Sequence, residues 1–162
     1  MALDCRSAAG DDPIIGTRGG DVQIALGVLF AALGLLYAGQ LLSVLDFGLA
    51  QRLGLQERPA HVDPLSSHLE LWTARFDILW LWTLPAAGLL MLLDHSWWPY
   101  AAMVGGGAFV DAGGRELSKV AGLREHGVRT GTPAEQRNVT IALTIMIVLG
   151  GAGIVAGLMQ AT

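Results

Sequence analysis

Long apolar runs alternate with short polar connections along the chain, and the spacing of the polar positions differs from run to run. Four runs stand out: Val22 to Val44, Ile78 to Leu93, Trp97 to Val110 and Val139 to Leu158. About 20 predominantly apolar residues cross a bilayer as a helix. The first and last runs meet that length, the second does once its ends are counted, and the third falls short. The pattern predicts an all-α, polytopic integral membrane four-helix bundle, with a re-entrant third segment as the alternative. Residues 1–20 lack apolar periodicity and read as a mobile tail. The four-span domain covers 21–162, with spans at about 22–46, 70–93, 97–118 and 135–159.

Helix punctuation sets the boundaries. Asp21 is positioned to cap the first helix. Ser67 with Glu70, and Thr132 with Glu135, have the spacing at which a hydroxyl and a carboxylate satisfy each other's backbone amides, the second with Pro133 at the first helical position. Pro85 predicts a kink in the second helix, and Asp94 to Pro99 forms a tight turn whose Ser96 can cap the third. Gly127 is placed to end the third helix, so helices three and four extend beyond the lipid.

The polar positions inside the runs form faces. Tyr37, Gln40, Ser43 and Asp46 lie three apart, a strip that drifts around the helix because three residues turn it by about 300°. Glu70, Thr73, Asp77, Trp80 and Leu84 share one side of the second helix, and Val104, Gly107, Asp111, Arg115 and Ser118 one side of the third. Polar side chains at these depths should turn from lipid toward protein or water.

Composition supports this picture. The chain is 52% hydrophobic and 15% charged over 162 residues, with a mean hydropathy of +0.50, too apolar for an ordinary soluble domain. A formal net charge of −4 argues against nucleic acid, which requires clustered cations. The single cysteine, Cys5, excludes an internal disulfide, and no Cys/His spacing matches a zinc or haem motif.

Basic residues concentrate after the first and third runs: Arg52, Arg58, Arg75, Arg115, Lys119, Arg124, Arg129 and Arg137. Such an excess marks the cytoplasmic side. The expectation is a multi-pass protein of the plasma (bacterial inner) membrane, with termini outside and loops 47–70 and 114–137 in the cytoplasm. That topology gathers Tyr37, Gln40, Asp46, Glu70, Asp77, Asp111, Arg115 and Glu116 at the cytoplasmic end.

Three functions follow in order. The first is a non-catalytic accessory or scaffold subunit that binds a partner or lipid through this polar cluster, in a larger membrane complex or a homo-oligomer. The second is a transporter or channel for a small solute or ion. The third is a metal-dependent membrane enzyme, since His61, Asp63, His68 and Glu70 offer nitrogen and oxygen donors within ten residues. No catalytic motif is present, and the sequence implies no particular cofactor. Gly153 and Gly157 have a spacing that suits helix packing, either within the chain or between copies.

Overall fold

The structure is a computed structural model that describes residues 15–56 and 60–161. Its secondary structure is helical: α1 Ile15–Ala32, α2 Gly34–Leu45, α3 Phe47–Arg52, α4 Pro64–Asp77, α5 Thr83–Leu92, α6 Trp98–Glu125 and α7 Pro133–Ala161. No strand occurs among the described residues, only an isolated antiparallel bridge between Val62 and Thr130. Residues 1–14 of the expected tail, with Cys5, lie outside the described residues. The helix is already formed at Ile15, so Asp21 sits within it and does not cap it.

Two segments are long and apolar enough to cross a membrane, Gly20–Leu45 and Pro133–Ala161. The first is α1 and α2 run together through a tight turn at Leu33, whose amide bonds to the Phe30 carbonyl at 3.1 Å. Only 17% and 11% of their apolar windows are buried inside the fold. Leu35, Leu36, Val148 and Val155 are among the large apolar side chains left exposed, unlike those of a helix enclosed in a soluble core.

The second arm is interrupted, not simply kinked. Between α4 and α5, residues 78–82 form successive tight turns in which the amides of Trp80 and Leu81 both bond to the Asp77 carbonyl. Proline removes a donor and crowds the carbonyl four residues earlier, so the disturbance falls in the turn before Pro85. Carbonyls in this stretch find other donors: the Tyr37 hydroxyl on Ile78 at 3.3 Å, the Trp82 indole on Leu79 at 2.9 Å and the Thr83 hydroxyl on Trp80. Irregular backbone is tolerated inside a fold when its polar groups are satisfied in this way.

The helices pack in a row, α1 on α5, α5 on α6 and α6 on α7. Missing side chains permit the close approaches. A Cβ on Gly88 would lie 2.4 Å from the Ala31 nitrogen, one on Gly105 2.4 Å from the Leu84 nitrogen, and one on Gly106 2.4 Å from the Gly150 oxygen. Gly153 and Gly157 are spent against Ala102, Pro99 and Met103, so their spacing serves packing within the chain. Phe30, Leu84, Met91, Trp98 and Phe109 fill the core.

Both ends of the row are tied. Gln23 donates to the Met91 carbonyl at 3.2 Å and to Asp94 at 3.3 Å, which fixes the start of the first arm beside the α5–α6 turn. Gly157 packs on Pro99 at the same end. At the other end the Asp63 amide bonds to the Arg129 carbonyl at 2.9 Å. His61 meets Glu135 at 3.0 Å, while Glu135 also accepts from the Thr132 amide at 2.7 Å and its own amide bonds to the Thr132 hydroxyl. Gly127, at φ 72°, ends α6 with bonds from Gly127 to Arg124 and from Val128 to Leu123.

Other caps differ from the sequence expectation. Asp63, not Ser67, caps α4, accepting from the Leu65 amide at 2.9 Å, and Pro64 follows at the first helical position. Ser67 lies one turn inside, its amide bonded to the Asp63 carbonyl. At α6 the His95 ring accepts from the Trp97 amide, in place of a Ser96 cap.

The glycine contacts give a paired prediction. Gly106→Ala should cost about 1–3 kcal/mol through overpacking against the Gly150 backbone. Gly107→Ala, next along the helix but facing open space, should shift stability by no more than about 0.5 kcal/mol. Thermal unfolding of both variants in detergent measures the difference.

Candidate functional site

The row is tight at the end bearing the α5–α6 turn and open at the other. There α2 leans on α3 and α4 instead of α6 or α7. The divergence leaves a cleft of ≈ 350 Å³ between α2, α4, α6 and α7, a size typical of small-molecule sites. Leu35, Leu36, Val139, Leu143 and Met146 supply apolar wall. Tyr37, Gln40, Ser43, Glu70, Thr73, Asp77, Glu116 and Gln136 supply polar groups.

Sequence spacing explains how each helix presents its polar groups. On α2, Tyr37, Gln40 and Ser43 follow one slowly rotating strip. Tyr37 is committed to the Ile78 carbonyl, and Ser43 donates to the Gly39 carbonyl while accepting from Gln56 at 3.1 Å. On α4, Glu70, Thr73 and Asp77 are one turn apart, and the Ser66 hydroxyl reaches Glu70 at 3.4 Å.

Charge pairs join α4 to α6 across the cleft wall. The Asp77 carboxylate, 7% exposed, accepts from the Arg115 guanidinium. Arg115 also lies 3.8 Å from Asp111 and 5.4 Å from the centre of the Phe76 ring. One turn along, Lys119 pairs with Glu116 and donates to Thr73 at 3.3 Å. Glu116 Oε1 is buried and has no hydrogen-bond partner among the described residues.

Of the residues singled out in the sequence, Tyr37, Gln40, Glu70, Asp77 and Glu116 meet at the cleft. Arg115 supports it through Asp77. Asp111 lies on another side of α6, bordering a separate groove with Phe76 and Trp80. Asp46 does not join them, because its carboxylate caps α3 by accepting from the Leu49 amide at 2.9 Å.

The proposed metal ligands are likewise not assembled. His61 pairs with Glu135, Asp63 caps α4, and His68 accepts from the Trp72 indole at 2.9 Å. No group of three metal-binding side chains occurs among the described residues. Their closeness in sequence spans a loop and a helix start, which point them apart.

Lys119 and Gln56 were missed as contributors, whereas Thr73 was read on the same side of its helix as Asp77. Lys119 could have been found from its spacing, three after Glu116. Gln56 could not, because a loop brings it to Ser43. Comparison of the chain with protein families, with characterised proteins and with solved structures finds no match.

Removing one member of the charge pair should cost more than removing both. Arg115→Leu leaves Asp77 buried and unpaired, with an expected loss of about 3–5 kcal/mol. Asp77→Asn combined with Arg115→Gln should recover a substantial part of that loss, as expected for two residues acting through each other. Equilibrium unfolding of the single and double variants in detergent tests this.

Proposed function

We propose that the protein is a non-catalytic four-span membrane protein, an accessory subunit that holds an amphipathic lipid in the cleft. The observation that carries this reading is the cleft itself, lined by apolar side chains of α2 and α7 together with polar ones of α2, α4 and α6. A lipid offers both halves, acyl chain and hydrogen-bonding headgroup. The carboxylates of Asp77 and Glu116 are engaged by Arg115 and Lys119, an arrangement suited to holding a ligand rather than abstracting protons.

Four spans are supported by the packing order. The two long exposed apolar helices flank the row, and α5 and α6 are sandwiched between them. Lipid at the outer members thus implies membrane depth for the inner ones. The third run, short by length, gains support from its glycine contacts with α7. The cleft end carries Arg75, Lys119, Arg124, Arg129 and Arg137, which favours the cytoplasmic side for it.

A small-solute transporter is the second reading. It is favoured by the interrupted helix beside Asp77, since discontinuous helices often hold solutes in transporters. Against it, the Ile78, Leu79 and Trp80 carbonyls already accept from side chains.

Two experiments test the proposal. With Cys5 replaced by Ser, a membrane-impermeant thiol reagent should label Ser96→Cys in intact cells and Ala60→Cys only in inverted vesicles. The reverse result inverts the topology. A photoactivatable phospholipid in reconstituted vesicles should label peptides containing Gln40 and Met146, and Ala142→Trp, which fills the cleft wall, should cut that labelling about fivefold or more, as loss of a well-placed apolar contact set implies. Unchanged labelling would remove the lipid from the cleft.

A further inference from the structure

A groove of ≈ 270 Å³ runs between α4 and α6, bordered by Phe76, Trp80, Val104, Gly107 and Asp111. It meets the cleft only at Asp77 and Leu81, which border both. The Asp111 side chain is 68% exposed, and its polar contact among the described residues is Arg115 at 3.8 Å. Arg115 is already held by Asp77. Two carboxylates thus share one guanidinium, and one formal negative charge is left over at the groove.

On the four-span reading, on which this inference rests, that charge lies deep. Asp111 is eleven residues beyond the interfacial Tyr100, or about 16 Å along the helix axis. A hydrocarbon core is about 30 Å thick, so Asp111 lies just past its middle, in the cytoplasmic half. Ionisable side chains at that depth are costly and pair with opposite charges on neighbouring helices. The groove has the shape for such a neighbour, because a Cβ at Gly107 would meet nothing within 4 Å and a helix backbone can approach where side chains are absent. Phe76 and Trp80, each about half exposed, form its rim.

We propose that this groove docks a transmembrane helix of a different protein, one that carries a lysine or arginine near mid-membrane to pair with Asp111. A second copy of the chain fits poorly. A two-fold interface centred on the groove would set Asp111 against Asp111, and Arg115 and Lys119 are already engaged.

The test uses the full chain in vesicles with synthetic host helices of about 22 leucine and alanine residues, carrying Lys, Leu or Glu at the centre. Energy transfer between a label on the chain and one on the peptide reports association. The Lys host should bind about five- to tenfold more tightly than the Leu host, the scale of one interhelical polar contact, and the Glu host should bind no better than Leu. Asp111→Asn should abolish the preference for Lys, and Gly107→Phe should weaken all three hosts by blocking the floor. Equal binding of Lys and Leu hosts, a preference that survives Asp111→Asn, or transfer between copies of the chain without peptide would each overturn the proposal. Depth-dependent quenching of a fluorophore at Ala108→Cys, which borders the groove about 12 Å along the helix from Tyr100, in the Cys5→Ser background, separates the causes. Quenching by mid-bilayer quenchers with no Lys preference refutes the docking groove alone, whereas its absence refutes the four-span reading beneath it.

Discussion

The contact between Asp77 and Arg115 holds together the half of the molecule that glycine does not. In the tight half, α1, α5, α6 and α7 approach closely because Gly88, Gly105, Gly106 and Gly157 leave no side chain between backbones. Beyond Asp77 that mechanism stops. α4 makes few close backbone approaches to α6 and is joined to it by the Asp77–Arg115 pair and by Lys119 reaching Thr73. Polar joints are directional and leave space around them, so the helices diverge and the cleft opens where the joint changes from steric to electrostatic.

The interrupted arm belongs to the same transition. Pro85 upsets the turn before it, and the freed carbonyls must find donors within the protein. Tyr37 provides one from α2, so the irregular stretch also positions the helix that forms the far wall. Asp77 sits at the last regular turn before the interruption, where its backbone carbonyl takes two amides and its side chain takes Arg115. One short segment thereby sets the angle of α4, the place of α2 and the mouth of the cleft.

Local signals were the most legible in the sequence. The Thr132–Glu135 cap, the stop at Gly127 and the turn after Leu93 each depend on residues within a few positions of one another, and each forms. The polar faces of the second and third helices also emerged from spacing alone, which is why Asp77 and Arg115 were gathered in one cluster. What was not legible depended on distant partners or on competing local choices. Ser67 and Asp63 both had cap chemistry, and Asp63 prevails because Pro64 suits the first helical position. His61 and His68 are close in sequence, but one is taken by Glu135 on α7 and the other by Trp72. Asp46 matched the strip of Tyr37 and Gln40 in spacing, yet the chain turns there and the carboxylate serves a backbone amide. The glycine pattern announced close packing without saying which helix would be met.

The central claim is that the cleft holds an amphipathic molecule. Native mass spectrometry of the protein extracted gently from its own membrane tests it most directly, since bound lipid, partner and oligomeric state are read together. The account predicts a chain carrying one lipid that survives mild activation and is released as a single species. A chain that leaves the detergent bare, under conditions where other membrane proteins in the same preparation keep their lipids, would contradict it.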